Sequence, residues 1–309
     1  MPGMKTCAVS IDLDPIGHYY GIHGIPSPPE DLACTRGLER FLALADARGF
    51  KATLFVIGAE LARPGFASLV RDAAKAGHEI ANHSLSHRYD LSRLGTDEIR
   101  KEITDAHDRI ADITGTPPRG FRAPGYTLSP GIIATLDGAG YAYDSSAFSS
   151  WPYYCAKAVV MALSGLIGRR SAAIMSPLSS LFAPTSPYHP ASGAPYRRGA
   201  MRIVEVPITV SPWLRLPLIG TTFILAGPLL RGFLLRTAAR SPRFNLEFHG
   251  IDFLGCDEVG GGLLRAGQID ARMALDEKAA RVGALFDRLR EHHFVTLDAF
   301  VKDLSSSFA

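Results

Sequence analysis

The stretch Cys7-Ala-Val-Ser-Ile-Asp-Leu-Asp14 decides the fold class. Successive side chains of a β-strand point to opposite faces, so an alternating pattern predicts a strand with one apolar face. That face is formed by Cys7, Val9, Ile11 and Leu13. The two aspartates fall on the other face, at the end of the strand.

Outward from this strand, further strand-like stretches alternate with amphipathic, helix-like runs. Strands are predicted at residues 51–57, 78–82, 121–124 and 141–144, and helices at residues 31–48, 66–76, 96–114 and 129–138. The alternation resumes late in the chain, with strands at 244–249 and 294–297 around a helix at 272–292. Repeated strand–helix units predict an α/β fold with a parallel sheet, either open or closed into a barrel.

Composition and length agree with one such domain. The chain has 309 residues, of which 47% are hydrophobic and 20% charged, so it can bury a large core and is not a disordered chain. We expect a single domain over residues 1–309. Its middle part, about residues 145–243, is rich in Pro, Ser and Gly and includes a strand-like stretch at 201–209. We interpret this part as an elaboration within the domain, because the strand pattern continues on both sides of it.

The middle part differs from the rest of the chain in charge. Residues 145–246 hold eleven basic residues and one acid, Glu205, a formal charge of +10, which leaves −7 elsewhere in a chain whose total is +3. Apolar runs at 156–167 and 214–235 accompany the arginines. This combination suggests a groove for an anionic amphiphile, such as a lipid-linked sugar phosphate at a membrane surface. The alternative is a cap over the barrel with solvated arginines. Nucleic acid is not expected as a partner, because no recognition motif is present.

Cysteine usage and the first residues bear on location. The four cysteines are widely spaced with no CxxC pair, which excludes a disulfide scaffold and a cysteine zinc finger. The first ten residues show no basic region followed by an apolar run, so no signal peptide is expected. No window of 18 uncharged apolar residues predicts a membrane span. We therefore expect a cytoplasmic protein with reduced thiols, peripheral at the inner face of the membrane if the middle part binds lipid.

Acidic and histidine side chains follow the predicted strands. Asp12 and Asp14 share a face of the first strand, where two like charges are costly unless a cation lies between them. His83 and His87 follow the third strand, and histidines four residues apart on a helical turn lie close enough to share one metal ion. Each motif alone has an ordinary explanation, a loop cap or surface histidines. Together they indicate an Asp-His-His site with a position left for water.

Two further motifs follow later strands. Arg122-Ala-Pro-Gly-Tyr126 comes after the fourth strand, where an arginine can pair with a carboxylate and hold its orientation. His249 ends the strand at 244–249, a position suited to a general acid at a barrel mouth. Because functional side chains of a barrel gather where strands end, all four motifs are expected on one rim.

In this order, the motifs resemble those of a known family. They are Ser10-Ile-Asp12-Leu-Asp14, His83-Ser-Leu-Ser-His87, Arg122-Ala-Pro-Gly-Tyr126, Tyr143-Asp144-Ser-Ser and Leu246-Glu-Phe-His249. The set resembles the polysaccharide deacetylase family, the NodB-homology group known as carbohydrate esterase family 4. The resemblance covers about residues 5–150 and 244–300. It implies a distorted (β/α) barrel, with the middle part as an irregular insertion, and a divalent metal, usually zinc.

The resemblance also implies roles for individual residues. The implied metal ligands are Asp14, His83 and His87. Asp12 looks like the general base, Arg122 like its orienting partner and His249 like the general acid. The backbone N–H of Tyr126 is similar to the family's oxyanion contact. The implied reaction is attack of water on an N-acyl carbonyl, followed by protonation of the departing amine.

Some positions depart from the family pattern or leave alternatives open. The family's two adjacent aspartates are separated here by Leu13, which leaves open an exchange of roles between Asp12 and Asp14. His18, in the loop at 15–29, is a candidate substrate contact, with simple loop packing as the alternative.

The fourth motif and the orientation of the acid are also open. Trp151 is a loose candidate for the aromatic partner of the fourth motif. Either Asp144 or Asp252 is a candidate to orient His249, and the sequence does not distinguish them.

The leading hypothesis is a metal-dependent hydrolase that removes an N-acetyl group from an amino sugar in a polysaccharide, glycoconjugate or lipid-linked glycan. A deformylase or a metal-free amide hydrolase on the same fold is an alternative, as is a non-catalytic protein that binds carbohydrate or membrane. Retention of all three metal-ligand candidates disfavours the metal-free reading. The presence of both acid and base candidates disfavours the non-catalytic one.

Overall fold

The computed structural model describes residues 5–26, 31–166, 171–262 and 268–308. Its main sheet contains β1 (Lys5–Asp12), β2 (Thr53–Val56), β3 (Glu79–Asn82), β4 (Gly120–Phe121), β5 (Tyr143–Asp144), β8 (Val204–Glu205), β9 (Arg243–His249) and β10 (His292–Val295). A separate antiparallel pair is formed by β6 (Pro190–Ala191) and β7 (Ala194–Arg198).

The α-helices of the described residues cover the outside of the main sheet or belong to the middle part. They are α1 (Ile16–Ile22), α2 (Leu38–Ala47), α3 (Pro64–Lys75), α4 (Thr96–Thr114), α5 (Pro130–Gly138), α6 (Trp151–Leu166), α7 (Gly220–Leu225), α8 (Pro228–Arg240), α9 (Leu275–Arg288) and α10 (Leu297–Phe308). None of these helices combines the length and the apolar character needed to cross a membrane.

All paired strands of the main sheet are parallel, and β1 pairs with three of them. β9 pairs with β1 along Thr6–Asp12, whereas β10 pairs with its first half and β2 with Ser10–Asp12. From β2 the order continues β3, β4, β5, β8. Each β–α crossover places a helix on the outer face, as parallel sheets require.

Side-chain hydrogen bonds link the two ends of this curved sheet. The Asn245 amide of β9 donates to the carbonyls of Val206 and Pro207, just after β8. The backbone N–H of Asn245 donates to the Thr209 hydroxyl. A regular strand ladder is not formed here, because Pro207 has no N–H to donate. The predicted distorted (β/α) barrel is confirmed.

The first strand packs as its alternation predicts. Cys7, Val9, Ile11 and Leu13 are fully buried and join one apolar cluster. Phe41 of α2 and Phe248 of β9 belong to the same cluster. Full burial of a large apolar side chain contributes about 1.5–3 kcal/mol, so this layer holds β1 rigidly while its opposite face carries the polar side chains.

Several predicted elements differ from the structure. The predicted loop at 15–29 contains α1 (Ile16–Ile22), and the strand predicted at 294–297 lies at His292–Val295. The stretch 201–209 forms only the two-residue β8, and Pro207, which has no N–H to donate, interrupts the strand ladder after it. The start of the predicted helix 31–48 is a π-helical turn, Ala33–Gly37. At its end Gly37 packs so close to the Gly250 carbonyl that a Cβ would lie 2.5 Å from its oxygen. The apolar run 214–235 is divided into α7 and α8, and α8 begins at Pro228, where a missing N–H costs nothing.

The four cysteines lie within the described residues and are free thiols. Cys7 and Cys34 are buried, Cys155 is exposed and Cys256 is intermediate. Burial raises the pKa of the Cys7 thiol well above its ordinary value, so this thiol is an inert core group.

Candidate metal and hydrolase site

The carboxyl ends of the strands bring the predicted site residues together. Asp12 ends β1, His83 follows β3, Arg122 follows β4 and His249 ends β9. Residues brought to one pocket of about 620 Å³ are Asp12, Asp14, His83, His87, Tyr126 and His249. The expectation of a common rim therefore holds for the geometry of all four motifs.

Asp14, His83 and His87 point three ligand atoms at one place. Asp14 Oδ1 lies 3.3 Å from His83 Nε2 and 3.2 Å from His87 Nε2. All three residues are buried, and Asp14 Oδ1 has no hydrogen-bond partner among the described residues. An orphaned buried carboxylate oxygen is costly. The cluster therefore has the donor set and the unmet need for charge that suit a divalent metal.

The tautomer of His83 is set by the neighbouring motif. Its Nδ1 lies 2.7 Å from the Arg122 backbone carbonyl, which can only accept a hydrogen bond. Nδ1 therefore carries the proton, and the lone pair of Nε2 faces Asp14. This backbone contact is the kind that orients a metal-binding imidazole.

His83 and His87 are not on a helical turn, and this part of the prediction is wrong. The segment is an irregular loop in which Ser84 and His87 have left-handed φ angles of 65° and 52°. The loop is held by Ser84 N–H donating to Asn82 Oδ1 and by His87 N–H donating to Ser84 Oγ. The two imidazoles still meet, with ring centroids 4.7 Å apart. Strained backbone at a polar cluster is typical of functional sites.

Arg122 holds Asp12 in one orientation. Its guanidinium is fully buried and donates to Asp12 Oδ1 at 2.5 Å, and the other Asp12 oxygen, Oδ2, lies 3.7 Å from His83 Nε2. The remaining Arg122 N–H groups reach Ser10 Oγ and the carbonyl and hydroxyl of Ser145. Burial lowers the pKa of Arg122, but the charges of Asp12 and Glu247, the Tyr126 hydroxyl and the hydrogen bond to Asp12 together outweigh burial, and the net shift is upward. Arg122 is therefore a charged, fixed partner.

His249 faces this pair from β9. Its Nε2 lies 3.4 Å from Glu247 Oε1 and 3.1 Å from the Tyr126 hydroxyl, which also donates to Glu247. Burial lowers the pKa of His249, but the charges of Glu247, Asp12, Asp14 and Asp252 together outweigh burial and raise it to about 9. His249 is therefore protonated at neutral pH, which is the state a general acid needs.

Glu247 is a site residue that sequence reasoning missed. It is fully buried, and its pKa is raised to about 7 by burial, against the opposing charge of His249. The signal was present, because positions 247 and 249 share a face of β9 by the same two-residue rule that paired Asp12 with Asp14.

Tyr126 also enters the site through its side chain, because its hydroxyl contacts His249. Its backbone N–H, which the resemblance implies as the oxyanion contact, lies 3.1 Å from the Ala123 carbonyl and closes a tight turn. Gly125 and Tyr126 both have left-handed φ angles, 61° and 62°.

Neither of the two aspartates proposed to orient His249 holds its imidazole ring. Asp252 accepts the His249 backbone N–H at 3.0 Å and the Thr221 hydroxyl at 2.9 Å, so it fixes the strand end and not the ring. Asp144 does not contact His249 and lies beside Glu205 on the neighbouring strand. Burial raises the pKa of Asp144, and burial with the adjacent Asp144 raises that of Glu205. Both shifts favour the neutral form of these adjacent carboxyls.

Two aromatic or histidine candidates lie beside the pocket. The His18 ring packs against His87 with centroids 4.4 Å apart, so His18 buttresses a metal-ligand candidate. Trp151 does not line the pocket and is nearly half-exposed. Tyr153, two residues later, lines the pocket instead and packs against Tyr126.

Lys157 of α6 also lines the pocket, and no motif pointed to it. Burial lowers the pKa of its ammonium to about 8. No acidic side chain of the described residues lies within ion-pair distance of it. The pocket thus contains a cation available to an anionic ligand.

Comparison with known proteins agrees with this geometry. Residues 30–143 match the family model for polysaccharide deacetylase. Over this segment the chain is similar to the polysaccharide deacetylase family. The resemblance to carbohydrate esterase family 4 is thereby confirmed. The matched segment includes His83, His87 and Arg122, whereas Asp12 and His249 lie outside it.

The relatives match parts of this chain. A peptidoglycan deacetylase of Helicobacter pylori is 27% identical over 154 residues, 48% of this chain and 52% of that protein. A chitooligosaccharide deacetylase of Bradyrhizobium is 37% identical over 92 residues, 29% of this chain and 41% of that protein. The chain thus spans about half, or less, of the length of these relatives.

A solved structure shares the fold over nearly the whole chain. The crystal structure of a candidate polysaccharide deacetylase from Mycobacterium smegmatis superimposes with a TM-score of 0.60 over 99% of this chain and 93% of that one, at 19% identity. This likeness covers the middle part as well as the barrel and concerns the fold alone.

Proposed function

We propose that this chain is a metal-dependent hydrolase that removes an acetyl group from the amide nitrogen of an amino sugar. One observation carries the proposal. The Asp14, His83 and His87 ligand atoms converge between Asp12, held by Arg122, and a protonated His249. A base, an acid and a place for a cation are the parts that amide hydrolysis requires.

Asp14, His83 and His87 would hold the metal. Two imidazoles and one carboxylate, with an open face, favour zinc. When bound, the ion polarises the acyl carbonyl and lowers the pKa of water. The metal-free alternative would leave Asp14 Oδ1 buried without a partner, and this disfavours it.

The chain's own residues divide the proton transfers. Asp12 Oδ2 takes the proton from the attacking water while Arg122 holds Oδ1. The carbonyl carbon gains the water oxygen and loses the sugar nitrogen, and His249 gives its proton to that nitrogen as the C–N bond breaks. Glu247 and the Tyr126 hydroxyl hold the His249 ring for this transfer. The products are acetate and the free amino sugar.

The side chains that line the pocket indicate the class of substrate. Apolar side chains of α6, α7 and α8 line the pocket beside Lys157. Among N-acetylated glycans, we favour a glycoconjugate with an anionic group and an apolar anchor, such as a lipid-linked glycan on the cytoplasmic side of a membrane. Peptidoglycan and chitooligosaccharide, the substrates in the names of the relatives, are the comparison substrates.

The experiment measures acetate release from N-acetylglucosamine oligomers and from an N-acetylated glycolipid. Protein stripped with a chelator is compared with protein reloaded with zinc, cobalt or manganese. We expect acetate and free amine in equal amounts, lost on stripping and restored by metal. Formate release from N-formyl sugars without acetate release would favour the deformylase instead. Full activity after stripping, or metal binding without any turnover, would also overturn the proposal.

The paired Glu247 and His249 predict a shift in the pH profile. His249 works as an acid only while protonated, so kcat should fall as pH rises through about 9. Glu247→Gln removes the charge that contributes most to raising that pKa, so the alkaline limb should move at least one pH unit lower. Profiles of kcat against pH test this. Glu39→Gln, which removes one exposed acid, is the control, and an unmoved limb in Glu247→Gln would contradict the role given to Glu247.

A further inference from the structure

Large exposed apolar side chains are concentrated in one part of the molecule. Thirteen such side chains occur among the described residues, and twelve lie between residues 151 and 233, the exception being Ile269. Water-soluble monomers rarely leave large apolar side chains clustered in this way, and such clusters mark sites of contact with proteins or membranes.

α8 presents an outward stripe that changes from apolar to basic along its length. Its positions 229, 233, 236 and 240 follow helical spacing, so Leu229, Phe233, Arg236 and Arg240 share one face. All four are exposed, and Leu229 is 91% exposed. The opposite face carries Leu234 and Ala238, which are buried. The helix therefore already packs on the core, and its second face has no covering among the described residues.

α6 presents a second stripe, without charge. Positions 151, 155, 159 and 166 lie on one face, and Trp151, Cys155, Val159 and Leu166 are all exposed there. The helix contains one charged residue, Lys157, which points into the pocket. An exposed helix face of this composition is unfavourable in water.

The loop at 211–215 exposes a third apolar group, the Trp213 side chain, to solvent. Trp213 is 96% exposed, although Trp213 and Arg215 both adopt left-handed φ angles. The loop is rigid, because Ser211 and Leu216 exchange hydrogen bonds and Arg215 binds the Leu181 carbonyl. The exposed tryptophan is therefore built in and does not belong to a loose segment.

The charge beside these groups is of one sign. A cavity of about 850 Å³ is lined by Trp213 and Phe233 together with Arg236, Arg240 and Arg243. No acidic side chain of the described residues lies within ion-pair distance of these three arginines. The single acid of residues 145–246, Glu205, is fully buried. Tryptophan, apolar helix faces and unpaired arginines are the chemistry that meets the headgroup region of an anionic bilayer.

The mouth of the catalytic pocket opens within the same surface. Val160 of α6, Leu230 of α8 and Ile269 line the pocket and are also exposed, so three separate segments give the mouth an apolar rim. A polysaccharide in water does not call for such a rim.

We infer that the exposed faces of α6 and α8 and the loop at 211–215 form a docking face for an anionic lipid bilayer, with the pocket opening toward it. The face would admit the headgroup of a membrane-anchored glycan while its anchor stays in the lipid. This inference rests on the proposed function for the chemistry at the pocket, but the docking itself needs neither metal nor turnover.

Fluorescence provides a direct test, because Trp151 and Trp213 are the only two tryptophans of the chain and both belong to the docking face. The whole chain, in the presence of a chelator, is titrated with phosphatidylcholine vesicles that contain either no anionic lipid or about 30% phosphatidylglycerol. We expect a blue shift and quenching by brominated lipid with anionic vesicles, weakened by high salt. In Trp151→Phe, the remaining signal reports Trp213 alone.

Variants separate the electrostatic and the apolar contributions to vesicle binding. Arg236→Gln/Arg240→Gln should lower the partition coefficient by about 25-fold, since each arginine near an anionic surface contributes about fivefold. Trp213→Ser/Leu229→Ser should lower it about tenfold or more. The control is Arg93→Gln/Arg290→Gln, which replaces two exposed arginines of the barrel helices and loops. It makes the same charge change and should bind as the unchanged chain does. The face variants should keep full activity on a water-soluble oligomer and lose it on glycolipid in vesicles.

Three results would overturn the inference. They are no binding to anionic vesicles by the unchanged chain, an equal loss of binding in Arg93→Gln/Arg290→Gln, and a dimer in solution that Trp213→Ser/Leu229→Ser dissociates, since the face would then bind a second copy. Binding with no turnover of any N-acyl sugar would sustain the docking face and remove the proposed function.

Discussion

Replacing Asp12 by asparagine should lower kcat for acetate release by about 10³-fold while leaving the metal content unchanged. A positioned general base contributes about 10²–10⁴-fold. Asparagine keeps the shape of the side chain and can still accept the hydrogen bond from Arg122, but it cannot take a proton from water. The three ligand candidates Asp14, His83 and His87 are untouched, so about one metal ion per chain should remain.

The buried charge of Arg122 complicates this variant, and a second measurement resolves it. Removing the partner of a buried charge can cost about 3–5 kcal/mol of stability, so thermal unfolding is measured together with kcat. Asp252→Asn is the matched comparison. It removes a second buried carboxylate on the same rim, but one that accepts its hydrogen bonds from a backbone N–H and the Thr221 hydroxyl. We expect less than about tenfold loss there, because asparagine oxygen still accepts hydrogen bonds. Equal losses in both variants would show a general disruption of the rim.

The metal content of Asp12→Asn also decides which of the two aspartates is the general base and which is a metal ligand. The sequence left their roles exchangeable, because Leu13 separates them. In the structure Asp12 is bound by Arg122, and Asp14 faces both imidazoles without a hydrogen-bond partner for Oδ1. Loss of metal in Asp12→Asn would reverse the assignment.

The alternation of strands and helices, the parallel sheet and the gathering of four motifs on one rim could be predicted from alternation and spacing. These depend on local rules, the two-residue period of a strand and the position of functional groups at strand ends. The rule applied to β1 would also have found Glu247 on β9. The fully buried Arg122 was predicted as a carboxylate partner, and the structure pairs it with Asp12.

Other features depend on tertiary packing and lay beyond the sequence. The path from His83 to His87 is set by hydrogen bonds from Asn82 and Ser84, which replace the predicted helical turn. Tyr153 lines the pocket in place of Trp151, two positions earlier on α6. The apolar runs of the middle part were visible, but which of their faces stay exposed depends on what each helix packs against.

The double variant His83→Ala/His87→Ala should bind less than about a tenth of the metal that the unchanged chain binds. Two of the three ligand atoms are removed, and a lone carboxylate is a weak site for zinc. Acetate release should fall below detection. The readout besides activity is metal content after dialysis against a micromolar zinc buffer. His189→Ala/His293→Ala, which removes two exposed histidines outside the site, should retain about one ion per chain.

Stability gives this prediction an independent test. A ligand that binds only the folded chain stabilises it by about 4 kcal/mol at a thousand times its dissociation constant. A chelator should therefore lower the Tm of the unchanged chain and of His189→Ala/His293→Ala, but leave the Tm of His83→Ala/His87→Ala unmoved. The orphaned Asp14 oxygen explains the direction, because the empty cluster keeps a buried charge that the ion neutralises. If the chelator changes the Tm of none of the three proteins, Asp14, His83 and His87 do not form a metal site. Hydrolysis would then have to depend on Asp12 and His249 alone.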